Sequence, residues 1–129
     1  MKKQLLLAGS ILGGASVAIG AFGAHGLEKL LAPDALTTFE TGVKYQMYHA
    51  LLLLLIAGFP LAVKTKRILL ILLVTGVVFF SGSIYGLATN SLTTFDFAKI
   101  ALITPIGGTL LLISWGILLV QFTRLKTDK

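Results

Sequence analysis

Apolar residues run along this chain in long blocks, and the charged residues sit almost entirely in the gaps between them. Cutting at the charges leaves four uncharged runs, residues 4–27, 45–63, 68–95 and 100–123, of 24, 19, 28 and 24 residues. A helix rising 1.5 Å per residue crosses a hydrocarbon core roughly 30 Å thick in about 20 residues. Each run is long enough to span, and the pattern predicts membrane helices at about residues 4–24, 43–63, 68–88 and 98–122. The connections are short, so residues 1–129 are expected to form a single transmembrane domain, an all-α four-helix bundle.

The polar residues inside these runs are grouped. The second run opens on Tyr45-Gln46-Met47-Tyr48-His49 before the aliphatic stretch 51–56. At 3.6 residues per turn, Tyr45, Gln46 and His49 fall within about 100° of one another, which gives one side of the helix a hydrogen-bonding face. The third run ends on Ser81-Gly82-Ser83-Ile84-Tyr85-Gly86, with Ser81 and Tyr85 one turn apart, and the fourth carries Thr104-Pro105. If that helix starts near Phe97, Pro105 interrupts it; if it starts at Pro105, the remainder still nearly spans. His25, Tyr45, Gln46, Tyr48, His49, Ser81, Ser83, Tyr85 and Thr104 all belong to the same half of such a bundle, leaving an aliphatic opposite half. Unpaired imidazole is costly in lipid, so His49 is expected to be neutral and bonded to Tyr45, Gln46, Ser81 or Tyr85. Trp115 reads as packing.

Small residues mark helix contacts. Gly9, Gly13, Ser16, Gly20 and Gly23 recur at steps of three and four on one face of the first helix, and Gly82 and Gly86 repeat the device in the third. Gly26 is placed to close the first helix in a left-handed conformation, with His25 in its last turn. Pro33 can start a short amphipathic helix in the first outer loop, with Leu36, Phe39 and Val43 on one face and Glu40 on another. A shift of 60 residues aligns His25-Gly26-Leu27 with Tyr85-Gly86-Leu87, as a duplicated two-helix unit would.

Composition agrees: 56% hydrophobic and 12% charged residues, with mean hydropathy +0.94, exclude an ordinary soluble globule. The net charge of +6 is a topology signal rather than a nucleic-acid footprint. Lys2, Lys3, Lys64, Lys66, Arg67, Arg124, Lys126 and Lys129 flank one side of a four-pass chain, and Lys29, Lys44 and Lys99 the other. The positive-inside rule then puts both termini in the cytoplasm. The first segment imitates a secretory signal, but its apolar run is longer than a typical signal core and is expected to stay as the first span. There is no cysteine, which removes disulfides and thiolate chemistry.

Three functions fit such a chain. A structural or accessory bundle would use the polar layer to fix its geometry. A pocket for a small ligand, lipid or ion would use His25, Glu40, Tyr45, Gln46, His49, Ser81, Ser83, Tyr85 and Thr104, and transport through so narrow a bundle would require a homo-oligomer. A metal-dependent enzyme would need His25, Glu40 and His49 to converge, a weak signal without a helical HExxH pair. No catalytic spacing is recognisable, and no cofactor, metal or nucleic acid is expected; the lipid bilayer is the expected partner.

Taken together, residues 20–27 (GAFGAHGL), 45–50 (YQMYHA), 80–85 (FSGSIY) and 103–108 (ITPIGG) resemble, in order and over nearly the whole chain, the small YgdD/YwdK-like bacterial membrane proteins. That resemblance implies a multi-pass protein of the bacterial plasma membrane, in a family of unknown function, and supplies no catalytic residue.

Overall fold

The computed structural model describes residues 1–126. Four long helices account for most of them: α1 Lys2–Phe22, α2 Pro33–Gly58, α3 Val63–Ala88 and α4 Ile103–Thr123. Prolines set two of the boundaries. Pro33 stands in the first turn of α2, where its missing N–H is not needed, and the preceding Ala32 is held extended at ψ 153°. Phe59 is likewise extended before Pro60, which stops α2.

The helix expected to start at Pro33 is present, but it is not a separate surface piece. It continues without a break into the second span, because nothing between Thr37 and His49 interrupts helical hydrogen bonding. Gly26 also differs from expectation, since no described glycine has positive φ. Instead of a left-handed cap, α1 widens into a π-helical turn, Gly23–Leu27, and the Leu27 carbonyl then accepts the amides of Leu30 and Leu31. Pro105 falls in the first turn of α4, so it breaks no hydrogen bond. Before it, residues 90–100 make two 3₁₀ turns, pinned where Asn90 Oδ1 accepts the amide of Phe97 at 2.7 Å and Asp96 caps Ala98.

Packing follows chain order: α1 lies along α2, α2 along α3, and α3 along α4. The central helices are therefore the most covered. In the apolar stretch of α3 39% of residues are buried, against 17% for α1 and 22% for α4, which leaves the flanking pair to face lipid. The α1, α3 and α4 segments are each long and apolar enough to cross a membrane. The remaining helix, α2, is as long as α3, but its first half is more polar, and its Gln46 and His49 are buried within the bundle.

Two apolar clusters sit at opposite ends. One joins all four helices through Leu5, Leu53, Ile56, Leu69, Leu73 and Leu118, beside the ends that carry Lys2, Lys3, Lys64, Lys66 and Arg124. The other packs Leu27, Leu31, Phe39 and Ala88 under the first and third connections. Where helices approach closest, the contact is backbone against side chain or backbone. A Cβ on Gly9 would come within 2.8 Å of the Ala50 carbonyl oxygen, and one on Gly107 would strike the backbone of Phe79 and Phe80. The α1–α2 and α3–α4 pairs are alike but not in strict register. Ser16 meets Val43, so an unbroken 60-residue repeat would set Gly76 against Ile103; Gly76 faces Gly107 and Leu111 instead, a turn or more further on.

Candidate functional site

The polar side chains form hydrogen bonds across every seam of the bundle. At its centre is Gln46 of α2, 4% exposed. Its amide nitrogen donates to the Leu12 carbonyl of α1 at 2.8 Å, and its amide oxygen accepts the Tyr85 hydroxyl of α3 at 2.6 Å. One side chain thus ties three helices. Two serines reinforce the same seams: Ser16 donates to the Val43 carbonyl at 2.9 Å and Ser81 to the Gly42 carbonyl at 2.8 Å. Gly42 has to be glycine for this, because a Cβ there would meet the Tyr85 ring at 2.7 Å.

The α3–α4 seam is closed by Ser83 and Thr104. Ser83 Oγ lies within bonding distance of the Phe79 and Phe80 carbonyls of its own helix, so its single proton goes there and Thr104 donates to Ser83. Between α2 and α4 the link is His49 to Trp115. His49 Nδ1 is 2.7 Å from the Tyr45 carbonyl, which can only accept, and Nε2 is 3.1 Å from the Trp115 indole nitrogen, which can only donate. The ring is therefore neutral, with its proton on Nδ1. A second proton would set two N–H groups against each other.

Depth corrects one expectation. His49 is 16 residues from Pro33 and 9 from Gly58, or about 24 and 14 Å at 1.5 Å per residue. Leu12 is 10 residues from Lys2, about 15 Å. The layer therefore reaches from the Ser83–Thr104 contact to mid-bundle rather than occupying the outer half alone.

Of the residues singled out from sequence, Gln46, His49, Ser81, Ser83, Tyr85 and Thr104 enter this network. Tyr45 contributes its carbonyl and packs its half-exposed ring against Phe80 in a tilted arrangement, with centroids 5.0 Å apart. Two stay outside: His25 is exposed on the π-helical turn and Glu40 is exposed on α2. They do not join His49, and among the described residues no group of three His, Asp or Glu side chains could hold a metal ion. Of the small residues, Gly9, Gly13, Gly20 and Gly23 lie against α2, and Gly86 against Phe97. Gly82 does not pack: it is exposed and meets open space.

Four residues do more than the sequence indicates. Ser16, a small residue on the packing face, is also a donor; Trp115 holds the histidine; Gly76 and Gly107 make the closest approach of α3 to α4. Only Gly107, beside Gly108 and Pro105, carried a local signal.

Two cavities open along the α2–α4 side, on either side of Trp115. One of about 180 Å³ is walled by Tyr45, His49, Phe80, Gly108, Leu111, Leu112 and Trp115. The other, about 340 Å³, is walled by Leu52, Leu55, Phe59, Trp115, Leu118, Leu119 and Phe122. Neither has a free buried donor aimed into it; every buried side-chain nitrogen and oxygen among the described residues has a partner.

Four helices, three of them long and apolar enough to cross a membrane, joined by an internally paired polar layer, define a multi-pass helical membrane protein. Comparison with known proteins gives it a family. The family described as "Protein of unknown function (DUF423)" matches residues 19–108. The chain is 40% identical to a UPF0382 membrane protein of Haemophilus influenzae over 89% of its own length and 90% of that protein's. It is 38% identical to the UPF0382 membrane protein YwdK of Bacillus subtilis over 95% of its length and 98% of the relative's. With the UPF0382 inner membrane protein YgdD of Escherichia coli K12 the identity is 37%, over 95% and 91%. The chain belongs to this UPF0382 (DUF423) family of membrane proteins, whose function is uncharacterised. No solved structure matches it.

Proposed function

We propose that this protein is a structural or accessory bundle of the bacterial plasma membrane, non-catalytic, with both termini cytoplasmic. The observation that carries this reading is pairing. Gln46, His49, Ser81, Ser83, Tyr85 and Thr104 are each bonded to one another or to helix carbonyls and the Trp115 indole, so none is an unpartnered group aimed at a substrate. Polar groups used in this way fix which helix faces meet, in a solvent where apolar faces alone discriminate poorly. The membrane assignment draws on the inner-membrane name of the Escherichia coli relative, and the orientation on the clustering of basic residues at one end.

The test is thermal melting of the purified protein in mild detergent, paired with native mass spectrometry. Gln46→Ala and His49→Ala should each lower the melting temperature by several degrees while the spectrum of bound species stays that of the wild type. Loss of a discrete small molecule together with either side chain would instead establish a ligand site. That second reading has one observation in its favour, the 180 Å³ cavity beside His49 and Trp115.

A further inference from the structure

The larger cavity is lined only by carbon. It lies between α2 and α4, helices that the chain-order packing does not press together, and it opens sideways where lipid would be. At 340 Å³ it falls within the range of about 300–1,000 Å³ typical of ligand pockets. Its lower end is shut by Phe59 against Phe122, rings crossed edge to face with centroids 5.3 Å apart.

What sits beside that closed end is charge. Lys66 Nζ donates to the Ala57 carbonyl at 3.1 Å, two residues before Phe59, which fastens an ammonium group near the end of α2 with two N–H bonds still to give. Arg124 follows two residues after Phe122, and Lys64, Arg67 and Lys126 stand exposed on the same end. Among the described acidic residues, Glu28, Asp34, Glu40 and Asp96 all belong to the opposite end. An apolar slot ending at a basic cluster has the two halves of a phospholipid site, acyl chain and anionic headgroup.

We propose that the α2–α4 groove holds one acyl chain of an anionic phospholipid from the leaflet at the basic end, with its phosphate on Lys66 and Arg124. The polar layer touches this groove only through the Trp115 ring, and neither Lys66 nor Arg124 belongs to it, so the inference stands or falls apart from the structural reading above. Each basic contact near a membrane surface is worth several-fold in affinity, so two give roughly tenfold or more.

The experiment is native mass spectrometry of delipidated protein titrated with phosphatidylglycerol or phosphatidylethanolamine of matched chains. One phosphatidylglycerol should be retained, with roughly tenfold or greater preference. In Lys66→Gln/Arg124→Gln the preference should fall to near unity. Leu119→Trp, which fills the groove from its exposed wall, should lose the retained lipid while circular dichroism keeps the helices. Equal retention of the two lipids by the wild type overturns the proposal, as does undiminished phosphatidylglycerol retention in folded Leu119→Trp. Dissociation of a dimer in that variant would mean that a second copy fills the groove, which also overturns it. Should Leu119→Trp fail to fold, the charge variant decides alone, and an unchanged preference there is fatal.

Discussion

His49 shows how lipid constrains a single side chain. In water an imidazole in this position could exchange partners with solvent; at mid-bundle it has two, the Tyr45 carbonyl and the Trp115 indole, and each admits only one protonation pattern. Removing either side chain leaves the other with an unmet bond. Interhelical bonds of this kind measure about 0.6 kcal/mol on average and up to about 1.7. His49→Ala and Trp115→Phe should therefore each destabilise by about 1–2 kcal/mol, with the double variant costing less than their sum by about 0.6 kcal/mol. Trp115 is the only tryptophan, so its fluorescence reports the contact directly. His49→Leu should shift the emission maximum, and an unchanged spectrum would mean that the indole does not donate to His49. The sequence announced that this histidine must be paired and named Tyr45, whose carbonyl is one partner, but it did not name Trp115, which lies 66 positions away where periodicity within one helix cannot reach.

At the scale of helices, existence was legible and contact only in part: the small-residue face of α1 does lie against α2. Four uncharged runs long enough to span give four helices because a membrane leaves the backbone no other way to satisfy itself within one segment. Which glycine meets which neighbour depends on how helices rotate against one another, and spacing is blind to that. Gly82, in a GxxxG with Gly86, faces open space, whereas Gly107, in no such pair, lies on the backbone of α3. The two should respond to alanine in opposite directions. Gly82→Ala gains helix propensity and should be neutral or stabilising by up to about 1 kcal/mol. Gly107→Ala must push α4 away from Phe79 and Phe80, at about 1–3 kcal/mol or more, as overpacked sites do. Melting temperatures of the two variants in one detergent make the comparison, and equal effects would contradict this packing. Pro105→Ala belongs to the same series: lying in the first turn of α4, it should change stability by less than 0.5 kcal/mol, roughly the scale of a surface substitution.

For the whole molecule, charge separates the ends. Leu5, Leu53, Ile56, Leu69 and Leu118 gather in one cluster, so the start of α1, the α2–α3 turn and the end of α4 share an end, and Lys2, Lys3, Lys64, Lys66, Arg67, Arg124 and Lys126 come with them. The opposite end keeps Lys29, Lys44 and Lys99 beside Glu28, Asp34, Glu40 and Asp96. An even number of crossings puts both termini with the basic cluster, and the orientation proposed above therefore has α2 cross despite its polar first half. It can do so because Gln46 and His49 are paired inside the bundle, not presented to lipid. The absence of native cysteine makes the orientation directly measurable with single cysteines and a membrane-impermeant maleimide applied to intact cells. Thr94→Cys, in the connection before α4, should label from outside; Thr65→Cys, among the basic residues opening α3, should label only after the cells are broken. Reversed accessibility would invert the orientation and with it the leaflet that could supply the groove. Thr65 and Thr94 flank α3, so labelling of both positions from the same side would remove the α3 crossing, and the four-span topology would fall with it.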